Sequence, residues 1–159
     1  MSKELSHVGA GGEARMVDVS AKPVSVRTAR AGGTIRMDPA TLAAIRGNSL
    51  KKGDVLGVAR IAGIMAAKRT ADLIPLCHPL PLDDVQLTLM PDDSIPGIRA
   101  TAEVRTTART GVEMEAIVAV SISLITVYDM AKAIDRGMAI ADVSLQLKTG
   151  GQGGDWVGG

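Results

Sequence analysis

The sequence is almost without aromatic side chains, since its 159 residues include one Trp, one Tyr and no Phe. Proteins that bind single-stranded RNA or DNA stack the bases on such side chains. The formal net charge is only +1, so no strong overall field attracts nucleic acid or an anionic membrane surface. The composition therefore argues against nucleic-acid binding and predicts a core made of aliphatic residues.

Cysteine and histidine are equally scarce, with one Cys and two His in the chain. A single Cys cannot form an internal disulfide, and two His cannot make a cluster with the spacing of a zinc site. The N-terminal stretch MSKELSHVGAGGEARM has no apolar signal segment, and no run approaches the roughly 18 apolar residues of a membrane span. We expect a cytoplasmic protein with no bound metal and no membrane association.

The length is that of one ordinary domain, with room for a core that needs no disulfide. We divide the chain into a flexible N-terminal arm at 1–20, a single domain at 21–149 and a flexible Gly-rich tail at 150–159. Aliphatic content is high for a chain with so few aromatic residues, and packing between copies would supply further burial. This favours a homo-oligomer.

Hydrophobic periodicity and turn residues predict a series of helices and strands. In chain order they are a bent strand at 24–37, a short helix at 39–46, a long helix at 54–73, strands at 85–89 and 98–106, a buried helix at 112–135 and a strand at 140–147. This order is that of the split βαβ pattern. It predicts an α+β, ferredoxin-like fold with a four-stranded antiparallel sheet, helices on one face and one added helix.

A stiff loop follows the long predicted helix, because Pro75 ends the helix and Pro79 fixes the far side of the loop. Between them stands Leu76-Cys77-His78, which places the only cysteine beside a histidine. The imidazole of His78 could exchange a proton near neutral pH, but a structural His next to a buried Cys explains the pattern as well. Cys77 would need a base and an electropositive setting to be a nucleophile, and the sequence indicates neither.

Cationic residues surround the long predicted helix. They are Lys51, Lys52, Arg60, Lys68 and Arg69. Asp54 can cap this helix, and lysines just before a helix N-terminus favour phosphate. An ordinary solvated polar face would have the same sequence, so both interpretations stay open.

Charged residues also stand at both ends of the predicted buried helix. Asp129 and Lys132 are spaced i, i+3 near its end, so they share a face and can meet one ligand. They are either a surface ion pair that contributes little to stability or part of a pocket that shifts the basicity of the lysine. The second interpretation is open because the preceding residues are apolar. Glu113 and Glu115 begin the helix, where they can complement its dipole or contact a ligand.

Several motifs follow one another along the chain. They read KKGDVLGVARIAGIMAAKRT, DLIPLCHPL, TGVEMEA and YDMAKA. In this order they resemble the cyclic pyranopterin monophosphate synthases, the molybdenum cofactor biosynthesis protein C family. The resemblance runs from MVDVSAK at Met16 to KTGG at Lys148 and covers nearly the whole chain. It implies a ferredoxin-like subunit, a hexamer built as a trimer of dimers, and active sites between subunits.

The resemblance also implies a lyase reaction. The family converts 3',8-cyclo-7,8-dihydro-GTP, supplied by a radical S-adenosylmethionine GTP cyclase, to cyclic pyranopterin monophosphate and pyrophosphate. By resemblance, Asp129 is catalytic, and Lys132 and Lys52 are the lysines that move protons. No tightly bound cofactor is implied, and the presence of Mg2+ with the triphosphate stays open.

The same resemblance assigns the residues that contact the substrate. The contacting segments are Leu76-Cys77-His78 and Met114-Glu115. We hypothesise further that His78, Lys68 and Lys22 hold phosphate oxygens.

One departure from the family concerns the Gly-rich segment after the last strand. Many relatives carry a lysine there, where this chain has Gln152, so we assign that tail no phosphate contact. Two other classes of function remain as alternatives, a nucleotide-binding module without turnover and a purely structural subunit. Intact Lys52, Asp129 and Lys132 favour catalysis over both.

Overall fold

The computed structural model describes residues 11–158, which form one antiparallel sheet with helices packed on it. The strands are β1 (Ser25–Arg36), β2 (Asp84–Asp92), β3 (Gly97–Ala108), β4 (Ala139–Thr149) and β5 (Trp156–Val157). The helices are α1 (Pro39–Arg46), α2 (Val55–Ala67), α3 (Thr70–Leu73) and α4 (Glu113–Ala131). The predicted α+β class is confirmed, and each predicted helix and strand has a counterpart at nearly the same place.

The sheet has the order β2-β3-β1-β4-β5, and every neighbouring pair of strands is antiparallel. The sequence predicts four strands, and this count is wrong, because the chain returns after β4 and adds β5 at the edge. In this added pairing Leu147 lies opposite Val157, and Lys148 lies opposite Trp156. The strand falls in the segment predicted to be a flexible tail, where only two apolar residues stand between glycines.

The N-terminal arm predicted at 1–20 is only partly described. Residues 1–10 lie outside the described residues, and residues 11–20 form turns and coil that are mostly exposed. The chain turns at Lys22, whose backbone N–H donates to the carbonyl of Val19 at 3.0 Å, and then enters β1. The arm is thereby placed beside the start of the first strand.

Buried and exposed side chains alternate along the strands, and the helices cover the face of the sheet that carries the buried ones. In β3, Ile98, Ala100 and Val104 are buried, whereas Arg99 and Arg105 on the other face are exposed. The helix α4 packs on β1, β3 and β4, and α2 packs beside it and over β2. Because several inward side chains are small, the helices approach the sheet closely.

The two long helices pack against each other through small residues. Gly63 of α2 is buried, and a Cβ built on it would lie 2.7 Å from the carbonyl oxygen of Ala119 in α4. It would also lie 3.2 Å from the Cβ of Ser123. A small residue at this position of α2 therefore permits a close helix contact.

The predicted long helix begins as expected but ends early. Asp54 caps it, since its Oδ1 accepts a hydrogen bond from the N–H of Gly57 at 2.9 Å. The sequence predicts one helix at 54–73, whereas α2 ends at Ala67 and α3 is a separate turn. The buried hydroxyl of Thr70 donates to the Ala67 carbonyl at 3.0 Å. This side-chain bond competes with continued helix and explains the break.

The helix α4 is the core helix of the domain. By length and composition it could cross a membrane, with a mean hydropathy of 1.6 over its most apolar window, but 56% of that window is buried inside the structure. The predicted buried helix is thus confirmed, although α4 is shorter than the predicted 112–135. Its polar first and last turns lie at opposite ends of the sheet.

Candidate active site

Chemically active side chains gather at both ends of α4, and not at one place. The helix rises about 1.5 Å per residue, so Glu115 in its first turn and Asp129 in its last are roughly 21 Å apart along the axis. Both lie on the same rigid element, which no loop movement shortens. The two ends are therefore separate clusters within one chain.

At the C-terminal end, Asp129 holds two lysine ammonium groups, and we call these three residues the Asp129 cluster. Lys132 Nζ donates to Asp129 Oδ1 at 2.7 Å, and Lys52 Nζ donates to Asp129 Oδ2 at 2.9 Å. Lys52 Nζ also reaches the backbone carbonyl of Asp129 at 2.9 Å. The structure thus brings together the three residues predicted to be catalytic, all of them about half exposed.

The electrostatics of the Asp129 cluster follow from these contacts. Hydrogen bonds from Lys132 and then Lys52 lower the pKa of Asp129 to about 2, so this carboxylate is ionised at neutral pH. The same contact raises the pKa of Lys132 above its ordinary value. The sequence suggested a pocket that changes the basicity of this lysine; the lysine is more basic than usual and is protonated before a substrate arrives.

At the N-terminal end of α4, the loop between α3 and β2 closes over the first turn of the helix and forms a cavity of about 250 Å3, the loop cavity. It contains every residue of the two predicted substrate-contacting segments, together with Thr110, Gly111 and Glu113. The predicted residues are Leu76, Cys77, His78, Met114 and Glu115. The prolines on either side of the loop and the helix start behind it account for this convergence.

The imidazole of His78 is held by the N-terminal segment. Its Nε2 lies 2.8 Å from the backbone carbonyl oxygen of Val17. A carbonyl can only accept, so Nε2 carries the hydrogen and Nδ1 is left for another partner. The end of the N-terminal arm therefore orients a predicted phosphate ligand.

Glu115 is the deeply buried carboxyl of this end, with only 4% of its surface exposed. Burial raises its pKa to about 7, and the neighbouring charge of Glu113 adds to the rise. Burial, followed by the charge of Glu115, also raises the pKa of Cys77. The thiol is therefore protonated at neutral pH, which argues against Cys77 as a nucleophile.

A second cavity, of about 230 Å3, adjoins the loop cavity and shares Thr110, Gly111 and Glu113 with it. We call it the cationic cavity, because four cationic side chains line it. They are Lys22, Arg27, Arg109 and Lys148. Only Lys22 among them was predicted from the sequence.

Arg27 is the central feature of the cationic cavity. It is only 9% exposed, its Nη2 donates to the carbonyl of Arg109 at 3.2 Å, and its buried Nε has no partner among the described residues. Lys148 Nζ donates to Glu113 at 2.8 Å across the same cavity. A buried guanidinium with spare hydrogen-bonding capacity is suited to an anion.

The Gly-rich segment after β4 forms one wall of the cationic cavity. Gly150 has φ +87°, and a Cβ built on it would lie 2.2 Å from the carbonyl oxygen of Val26, so glycine is required there. The sequence assigned this segment no phosphate contact, yet Gly150, Gln152 and Gly153 line the cavity. That assignment rested on Gln152, which stands where many relatives carry a lysine.

Two further sequence expectations concern Lys68 and metal ligands. Lys68 lies outside the cationic cavity, in a smaller cavity with Arg69 that also includes His78 and Glu115. Within residues 11–158, no three His, Cys, Asp or Glu side chains converge as metal ligands would. The groups at this end are therefore arranged for an anion and for proton transfer.

Comparison with protein families agrees with this arrangement. The model of the MoaC family matches residues 16–151, which include both ends of α4, the loop cavity and most of the wall of the cationic cavity. The resemblance read from the motifs is thereby confirmed. The chain belongs to the MoaC family, the cyclic pyranopterin monophosphate synthases, lyases of molybdenum cofactor biosynthesis.

Proposed function

We propose that the loop cavity and the cationic cavity of one chain, together with the Asp129 cluster of a second chain, form the active site of this synthase. There 3',8-cyclo-7,8-dihydro-GTP becomes cyclic pyranopterin monophosphate and pyrophosphate. The observation that carries the proposal is the adjacency of the two cavities at the start of α4. One is suited to a triphosphate, and the other has proton-exchanging groups beside it.

The triphosphate lies in the cationic cavity in this proposal. Arg27, Arg109, Lys22 and Lys148 surround a space at the N-terminus of α4, where the helix dipole also favours negative charge. Closure of the cyclic phosphate requires that a substrate hydroxyl oxygen attack the α-phosphorus while the bond to pyrophosphate breaks. Cations held around the leaving pyrophosphate stabilise the charge that develops on it.

Proton transfer is divided between the two ends of the site. Glu115, with its pKa near 7, is the group at the loop cavity that can both give and take a proton at neutral pH. Lys132 enters as the ammonium form, because Asp129 raises its pKa, and so acts as a proton donor. Lys52 is held by the same carboxylate and assists it. His78 orients phosphate oxygens, with Lys68 nearby at the rim.

The roughly 21 Å between Glu115 and Asp129 is the reason for a second chain. A substrate seated at the loop cavity does not reach the Asp129 cluster of the same chain. We propose a homo-oligomer with shared sites, specifically a hexamer arranged as a trimer of dimers. The strand order β2-β3-β1-β4 with α2 and α4 as crossovers supports a ferredoxin-like subunit. We also propose a cytoplasmic location and a radical S-adenosylmethionine GTP cyclase as the supplier of substrate.

Mixing two inactive variants tests the shared site. Asp129→Asn damages one half and His78→Ala damages the other, so a mixed dimer contains one site with both wild-type halves. With random exchange of subunits, half of the dimers are mixed, and we expect about a quarter of wild-type turnover. Each variant mixed with itself is the control. If turnover stays at the level of the single variants after exchange is verified, the halves belong to one chain.

The reaction itself is checked by incubating the purified protein with the cyclised GTP intermediate and measuring pyranopterin and pyrophosphate together. Equal amounts of both products are expected. Binding of the intermediate without either product would favour a nucleotide-binding module over an enzyme. The assay uses the chain without its radical partner, so that no earlier step contributes product.

A further inference from the structure

The two adjoining cavities at the start of α4 are connected by one short stretch of the N-terminal segment, residues 17–22, which we call the strap. At its first residue, the backbone carbonyl of Val17 accepts a hydrogen bond from His78 Nε2 at 2.8 Å, and His78 lines the loop cavity. At its last residue, the side chain of Lys22 lines the cationic cavity. The strap therefore fixes one group in each cavity, and a change in its course would displace both.

Two hydrogen bonds within the strap set its course. Asp18 Oδ1 accepts from the backbone N–H of Ser20 at 2.8 Å, a turn that aspartate favours because its side chain reaches the backbone two residues on. The N–H of Lys22 donates to the carbonyl of Val19 at 3.0 Å. These two bonds satisfy the backbone donors at positions 20 and 22 and direct the chain into β1.

Burial contributes little to holding the strap. Val17 and Val19 are partly buried, whereas Asp18, Ser20 and Lys22 between and after them are exposed. A segment with few buried apolar contacts opens at a low cost in free energy. The order of the strap therefore depends strongly on its own hydrogen bonds, and the side chain of Asp18 makes one of them.

The charge of Asp18 suits an acceptor at this turn. Hydrogen bonds from Ser20, first of all from its backbone N–H, lower the pKa of the Asp18 carboxyl, and the charge of His78 acts in the same direction. The carboxylate is therefore ionised at neutral pH and is an acceptor only. It cannot rotate a hydroxyl hydrogen toward Ser20 and lose the turn.

We propose that Asp18 is a positioning residue for the synthase reaction, because by capping the turn of the strap it holds Lys22 and His78 where they receive the triphosphate. Asp18 itself lines neither cavity, so it acts through these two residues. The proposal rests on the proposed function, since that function places both side chains on phosphate oxygens.

Substrate kinetics test this role. Asp18→Ala removes the acceptor and leaves every residue of the two cavities in place. We expect KM for the cyclised GTP intermediate to rise about 3–10-fold, the effect of one lost hydrogen bond, with inhibition by pyrophosphate weakened by the same factor and kcat nearly unchanged. Asp18→Asn keeps an Oδ1 acceptor and should restore KM. A wild-type KM in Asp18→Ala, or an Asn variant as weak as the Ala variant, would overturn the proposal.

The chain offers a matched control, because it contains the same turn far from the cavities. Asp92 Oδ1 accepts from the backbone N–H of Ser94 at 2.8 Å, at the end of the sheet opposite to the start of β1. Asp92→Ala removes this turn together with an ion pair to Arg99 and should leave KM unchanged. Urea unfolding compares the stability of the two variants. An equal rise of KM in the control would show that general loosening of the fold, and not the strap, weakens binding.

Hydrogen exchange followed by mass spectrometry observes the strap directly. If an ordered strap favours bound phosphate, bound phosphate must favour an ordered strap to the same degree. Saturating pyrophosphate should therefore slow amide exchange in the peptide that contains residues 17–22. Asp18→Ala should exchange faster there without ligand. Exchange that pyrophosphate leaves unchanged in the wild type would contradict the coupling.

A failure of this proposal is distinguishable from a failure of the proposed function. Lys22→Ala and His78→Ala test the placement of the triphosphate itself, and if neither changes KM or turnover, the phosphate site lies elsewhere. If both weaken turnover while Asp18→Ala behaves as the wild type, the site stands and Asp18 does not position it.

Discussion

The two ends of α4 each carry a functional carboxyl group, and their environments move the pKa of these groups in opposite directions. Glu115 is buried beside Glu113, and its pKa rises to about 7. Asp129 is exposed between Lys132 and Lys52, and its pKa falls to about 2. The first can carry a proton at neutral pH, whereas the second is a permanent anion that holds two ammonium groups in place.

The comparison also shows how complete each end is. The N-terminal end has two cavities, a buried arginine and a loop fixed by prolines, all contributed by one chain. The C-terminal end has an open cluster whose side chains are about half exposed. An enclosed pocket at one end and an exposed cluster at the other agree with the proposed site, in which the cluster of one copy covers the pocket of another.

The largest effect is expected when the anion of the Asp129 cluster is removed. Asp129→Asn cannot hold two ammonium groups, so we expect kcat to fall by about 10²–10⁴-fold. Turnover of the cyclised GTP intermediate is the measurement. Asp142→Asn is the matched control, since this aspartate pairs with an arginine on the exposed side of the sheet. An equal loss in the control would show that charge alone, and not the cluster, is responsible.

A substitution in the cationic cavity, at the N-terminal end of α4, should weaken substrate binding. Arg27→Met removes the buried guanidinium of the cationic cavity, and each lost charged hydrogen bond contributes about 1.5–3 kcal/mol. We expect KM to rise about 10–100-fold, with weaker inhibition by pyrophosphate. Arg30→Met, on the same strand and paired with Glu103 at the surface, should leave both values unchanged. If neither KM nor kcat changes, the triphosphate does not occupy this cavity.

The contact that holds α2 beside α4 can be loosened by a single substitution. Gly63→Ala places a methyl group 2.7 Å from the Ala119 carbonyl oxygen, and overpacking of this kind costs about 1–3 kcal/mol of unfolding free energy. Urea unfolding measures it. Gly153→Ala, where a Cβ would meet nothing within 4 Å, is the control. No loss of stability in Gly63→Ala would mean that the helices separate freely.

Periodicity, proline positions and motifs were sufficient to predict the order of helices and strands, the cap at Asp54 and the grouping of Leu76 to His78 with Met114. They could not predict β5, whose two residues are too few for alternation to be visible. They also missed Arg27, because an inward arginine is recognisable only once the strand's neighbours are known. The spacing of Asp129 and Lys132 indicated that they share a face, but the third member, Lys52, comes from a distant segment, which only the resemblance supplied.

The last comparison concerns the buried proton at Glu115. The pKa of Glu115 is about 7 in the folded chain, whereas its ordinary value is 4.5. Between pH 4.5 and pH 7 the folded chain therefore keeps a proton on Glu115 that the unfolded chain has released. Stability should therefore fall as pH rises from about 4.5 to 7 and level off above.

Glu115→Gln keeps the shape of this side chain without its titration. We expect the wild type to lose about 3 kcal/mol relative to this variant across that pH window, measured from urea midpoints. Glu103→Gln, at the exposed face of the sheet, is the control, and its stability should depend on pH as that of the wild type does. If wild type and Glu115→Gln show the same pH dependence, Glu115 is ionised in the folded chain. It then cannot carry the proton at the N-terminal end of α4.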